Sequence, residues 1–280
     1  MSTRCKQSRG SAAARRVSAQ LKRFPVIILF LTFAVLAWEL IALAGGHPVE
    51  NPTLIPIGTI LPVRLDDTLA LKDAQRGQAI AAKIAQDVPL NRDKIPAKSA
   101  VKGSIISVEK DSDGQGIKLT LKFNQLESRK ETLTMVTYLR AMASYNAVRA
   151  AQTPHSGADV GTPTGWADTV QIGGDIRYGN GGAVRNRAKQ KVGKGVNGGV
   201  LVDVRANPEL GCDGIVNGDV HPQALWVFSS DACGIYDLKG TKITHTGKGA
   251  PVGEITLYFE KDDAKLEGGT AMLLRVTAQP

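Results

Sequence analysis

The residues whose types and spacing best suit chemistry sit together in the C-terminal third of the chain. Asp213, Asp219, His221, Trp226 and Asp231 all fall between Cys212 and Cys233. In an extended chain Asp219 and His221 put their side chains on one face, and imidazole beside carboxylate is a pair that does acid–base work. The same residues also suit a binding edge with Trp226 as its aromatic, or a turn-rich hairpin with solvated acids and a core tryptophan. We take Asp219, His221, Trp226 and Asp231 as a candidate binding surface and assign no catalytic residue. Trp166, Tyr178 and Tyr236 lie in loop-like contexts that fit either a glycan-stacking surface or local packing.

Other motifs carry less. Gly193-Lys-Gly195-Val-Asn-Gly198-Gly-Val200 matches G-x-G-x-x-G. A dinucleotide site needs the glycines after a strand and before a helix whose N-terminus holds the pyrophosphate. Here strand-like VLVDV follows, which is the wrong order. The four histidines, His47, His155, His221 and His245, form no H-x-x-x-H or H-E-x-x-H pattern, so a zinc site is not expected. G-x-S-x-G and G-x-x-x-x-G-K-[ST] are missing from the sequence. No metal and no cofactor is expected. Cys212 and Cys233 are the only cysteines after Cys5, and in an oxidising compartment two such thiols are expected to pair.

Charge and hydropathy decide where these residues must work. The net charge of +9 is concentrated at the N-terminus, where residues 1–24 hold seven Lys or Arg and no acid. Setting those aside leaves 28 of the 35 basic residues against 26 acidic ones. A nucleic-acid partner is therefore not expected. The one patch that would serve, Arg177, Arg185, Arg187, Lys189, Lys191 and Lys194, reads as a solvated basic loop. Residues 25–44 are apolar apart from Glu39, and about 20 helical residues span a bilayer core of about 30 Å. The flanking cations hold the N-terminus in the cytoplasm. The segment is thus a retained transmembrane helix in contact with membrane lipid. Alternatively it is a signal peptide cleaved after Ala42-Leu43-Ala44, which would release the body to the periplasm.

The expected organisation is a basic cytoplasmic stub 1–24, the apolar segment 25–44, a linker 45–53 and an extracytoplasmic β domain 54–280. Strand-like runs occur at 58–66, 78–88, 100–110, 117–123 and 131–138, with Ile117, Leu119, Leu121 and Phe123 alternating against Lys118, Thr120 and Lys122. Residues 139–152 suit a short helix. The nine glycines of 173–199 suggest exposed loops or wide hairpins. Gly269-Thr270 with Arg275 repeats the register of Gly58-Thr59 with Arg64, which suggests related places for the first and last strands. The fold class is mainly β: a single barrel or sandwich, with 54–140 as barrel core, 141–250 as a long Gly-rich insertion and 251–280 as closing strands.

Ile55-Pro56-x-Gly58-Thr59, Gly77-Gln78, Ala85-Gln86-Asp87-Val88, Ile95-Pro96-x-x-Ser99 and Phe123-Asn124-Gln125-Leu126 give 54–138 a likeness. The segment resembles the barrel module of TrbI-like scaffold proteins of type IV secretion channels. Lys98 stands where that pattern has glycine, and the linker is shorter. The resemblance implies a stub, one span and an external β domain acting as a scaffold without catalysis. The expected function is an exported, membrane-anchored envelope scaffold or interaction protein, with an envelope protein or a glycan as partner. The alternatives are an extracytoplasmic ligand- or glycan-binding module and an envelope enzyme centred on His221.

Overall fold

The computed structural model describes residues 55–278 except 92, 129, 130, 156–167, 180 and 217–221. The stub, the apolar segment and the linker lie outside the described residues. Among the described residues no helix is long and apolar enough to cross a membrane.

The body is mainly β. Its first half runs through β1 (Ile60–Leu65), β2 (Leu69–Ala70), β3 (Ala79–Ile84), β4 (Val88–Pro89), β5 (Lys94–Ile95), β6 (Ala100–Lys110) and β7 (Ile117–Glu127). β8 (Thr132–Thr134), β9 (Val136–Ala143) and helix α1 (Tyr145–Gln152) follow. Residues 139–143, expected in the helix, continue β9 instead. Ser144 makes the break, because its Oγ accepts from the Ala147 amide at 3.0 Å, as an N-cap does.

A second sheet is built in chain order from β10 (Asp168–Val170), β11 (Ile176–Tyr178), β12 (Ala183–Arg185), β13 (Lys191–Val196), β14 (Gly199–Val202) and β15 (Gln223–Ala224). The chain then returns through β16 (Gly234–Tyr236), β17 (Thr241–His245), β18 (Ile255–Phe259), β19 (Lys265–Leu266) and β20 (Ala271–Ala278). The glycine-rich stretch is thus a run of short antiparallel hairpins, the second of the two forms expected of it. Its glycines serve close strand approach and turns, such as Asn197-Gly198 between β13 and β14, where Gly198 has φ +82°.

The main sheet has the order β16-β9-β20-β1-β3-β6-β7-β18-β17, with β8 also on β7. β1 and β20 are direct antiparallel neighbours from Ile60↔Arg275 to Arg64↔Ala271. The expected closed barrel is corrected here, because the ladder is open. β16 pairs in parallel with β9 over residues 141–143 and occupies the edge that closure would need. The two ends meet instead through the Leu139 amide, which donates to the Thr246 carbonyl at 2.8 Å. Residues 234–245, expected within the insertion, pair with the main sheet.

Two apolar clusters explain the strand sequences. The first fills the inside of the coiled main sheet with Leu61, Val63, Leu119, Phe123, Leu257 and Leu274, among others. The second lies between the other face of β9-β20-β1 and the second sheet, with Ile60, Ala141, Ala271 and Leu273 against Val184, Val200 and Val202. β9, β20 and most of β1 are buried on both faces, which is why they read as largely apolar with a single arginine each, whereas β7 alternates.

Candidate functional site

The expected disulfide is present. Cys212 and Cys233 are bonded at 2.01 Å, with Cα atoms 6.0 Å apart. On the Cys212 side the chain makes a tight loop around Pro208–Leu210, closed by amide–carbonyl bonds in both directions between Asn207 and Cys212, at 2.8 and 2.9 Å. On the other side the Cys233 amide donates to the Tyr236 hydroxyl at 3.1 Å. Burial pushes the Tyr236 hydroxyl up from its ordinary pKa.

Beneath this clipped loop lie two arginines that the sequence reading missed. Arg140 of β9 and Arg275 of β20 are each only 2% exposed. Arg140 donates to the carbonyl of Asp213 and, at 2.7 Å, to that of Arg205. Arg275 donates to the carbonyls of Gly58 at 3.1 Å and Asp213 at 3.4 Å. The Asp213 carboxylate turns away to Lys248 at 2.6 Å, so both guanidinium groups are held by main-chain oxygen. Desolvation, with repulsion from Arg275 behind it, pulls Arg140 down to about 10. The signal available in the sequence was one arginine inside each of two apolar strands, Leu139-Arg140-Ala141 and Leu274-Arg275-Val276.

Only Trp226 and Asp231 of the candidate binding surface lie within the described residues. Trp226 is 5% exposed, sits in the second cluster and has φ +55°. Asp231 is half-buried, and its carbonyl accepts from Asn207 Nδ2 at 3.3 Å. Asp219 and His221 lie outside the described residues, as does Trp166. Tyr236 packs edge-on to Phe228 with centroids 6.3 Å apart, while Tyr178 is exposed on the second sheet. These aromatics share no surface in the described residues. His155 is exposed and pairs its backbone with Asp168, and His245 Nε2 lies 3.2 Å from the Pro251 carbonyl. Among the described residues no group of three metal-binding side chains occurs.

Two further buried polar groups join elements. Gln86, 1% exposed, donates to the Val200 carbonyl at 2.9 Å and accepts from the amides of Val200 at 3.2 Å and Trp226 at 2.7 Å. It thereby links the end of β3 to the second sheet. Asp175 accepts from the Ser230 amide at 2.8 Å, and its own amide donates to Ser229 Oγ at 2.8 Å. Burial raises the Asp175 carboxyl above the usual carboxylate value despite that bond. A cavity of about 280 Å³ opens between the two sheets, lined by Pro56, Leu90, Lys194, Leu201 and Gln223 among others. No family model matches this chain, and neither a curated protein nor a solved structure matches it.

Proposed function

We propose that this chain is an envelope protein tethered at the outer face of the cytoplasmic membrane, whose β body is a non-catalytic scaffold or interaction module. The observation that carries the reading is where the buried polar side chains spend their hydrogen bonds. Gln86, Arg140 and Arg275 are directed at main-chain groups of neighbouring strands and loops, and Asp175 at a main-chain amide. Groups directed in this way tie strands and loops together, although Arg140 Nε is buried without a partner. A bonded cysteine pair in a body that follows a basic stub and an apolar segment supports export. The likeness of 54–138 to TrbI-like barrel modules supports a scaffold role by analogy of fold alone.

Fractionation of cells making the full chain tests this. The expected result is recovery with membranes, or in the periplasm if the segment is cleaved after Ala44, with body residues open to protease added to spheroplasts. Recovery from cytosol with Cys212 and Cys233 both open to alkylation would sink the reading. One observation favours the ligand- or glycan-binding alternative, namely the cavity beside Lys194. A melting shift with an envelope polysaccharide, lost on Leu201→Trp filling of that cavity, would move the assignment there.

A further inference from the structure

The second sheet turns one face into the core and leaves the other to solvent over β10–β13, while at β14 and β15 Leu201 and Ala224 carry that other face onto the first cluster. Val184, Val192, Val200 and Val202 take the inner face. Lys191 and Lys194 are three residues apart, so a regular strand would send them to opposite faces. A register shift between Val184 and Arg185 changes this. It pairs Arg185 with Lys191 and Ala183 with Lys194, and all three cations emerge on the outer face. Cross-strand neighbours on that face are Val170 and Ile176, which continue the Arg185–Lys191 row; Leu201 opposite Lys194 packs against the first cluster. Val170 is 41% exposed, and Tyr178 on the same face 42%.

Arg185, Lys191 and Lys194 have no carboxylate within ion-pair distance among the described residues. Each of the eight ion pairs uses a lysine from outside this sheet. Asp168 stands opposite Tyr178, and the Asp203 amide donates to the Val192 carbonyl beside Lys191 at 2.8 Å, so two acids flank these cations without pairing with them. The described chain begins beside this face, because Pro56 lines the same cavity as Lys194 and Leu201. Residues 45–54 reach about 35 Å at full extension.

We infer that this outer face, centred on Arg185, Lys191 and Lys194, docks on an anionic phospholipid surface. Uncompensated cations meet phosphate headgroups, and Val170, Ile176 and Tyr178 enter the interface as apolar and aromatic groups do. A nucleic-acid or other polyanion site would need the cations but not this apolar company. The inference deepens the tethered reading, because a short linker that enters at this face brings it within reach of the bilayer that holds the span.

The test uses the full chain reconstituted with vesicles of phosphatidylcholine alone or mixed with phosphatidylglycerol. Flotation with the neutral vesicles reports the tether, and amide hydrogen exchange in β11, β12 and β13 reports the face. The expected result is slowed exchange in the mixed vesicles only. Binding should weaken about five-fold per cation neutralised in Arg185→Gln, Lys191→Gln and Lys194→Gln, which are exposed positions that leave the core intact. Equal exchange in both lipids, or protection that survives the triple variant, would overturn the inference. So would protection by a soluble polyanion such as duplex DNA with none from the mixed vesicles. Failure to float with neutral vesicles would count against the tether alone.

Discussion

Gln86 is the residue whose loss should be felt most for its size. Its three hydrogen bonds cross from the end of β3 to Val200 and Trp226 in a site 1% exposed. Gln86→Leu keeps the volume but strands two amides and a carbonyl away from water. A destabilisation of about 2–4 kcal/mol is expected in urea titration. Asp175 makes a prediction with a sign. Burial raises its folded-state carboxyl above the unfolded value, so its contribution is fully present below the unfolded value and is lost as pH rises through the folded one. Asp175→Asn preserves an acceptor for the Ser230 amide without the charge. The stability of wild type relative to this variant should therefore fall as pH rises from about 4 through the raised folded-state value. An unchanged difference in paired urea titrations would show that the carboxyl is not strained by burial. Little of this was legible in the sequence. Trp226 in a polar loop looks like a contact residue until its place in the second cluster and its positive φ are seen.

At the level of elements, strand existence was easier to read than strand partnership. β6 spans the expected 100–110 and β7 extends the alternating run at 117. That followed because β7 has one wet and one dry face, the arrangement that alternation encodes. The shared Gly-Thr and Arg spacing pointed to β1 and β20, and they are paired. The second sheet was legible only as loops or wide hairpins, because glycine carries two messages, flexibility and close approach, and only tertiary contact tells them apart. Gly103 belongs to the second kind. A Cβ there would stand 2.0 Å from the Lys122 carbonyl oxygen, at the point where the β6–β7 register shifts between Lys102 and Gly103. Gly103→Ala must push β7 away or flatten the irregularity. A loss of about 2–4 kcal/mol is expected, with a lower urea midpoint and an unchanged slope. A silent substitution would mean that the two strands are not held this closely.

For the whole molecule, the question is what keeps residues 205–216 pressed over two buried cations. Arg140 and Arg275 draw the carbonyls of Arg205 and Asp213 toward them, and the Cys212–Cys233 bond returns the same stretch to the foot of β16. The guanidinium groups gain only carbonyl partners for the water they lose, so the covering loop has to stay in place for their burial to be tolerable. The bond closes a loop of sequence separation 21, which limits the unfolded chain by roughly 3 kcal/mol. Cys212→Ser with Cys233→Ser is expected to lose about that much in urea titration, and wild type reduced by a dithiol should show the same midpoint as the double variant. Proteolysis separates two ways of losing it. If the bond acts only on the unfolded state, the folded double variant should resist cleavage within 205–216 as wild type does. If the bond also holds the loop against the arginines, cleavage there should begin well below the unfolding midpoint, and Arg140→Met should increase it further by removing the bonds to the Arg205 and Asp213 carbonyls. A double variant as stable as wild type would leave the arginine–carbonyl bonds as sufficient on their own and remove the disulfide from the account of this region.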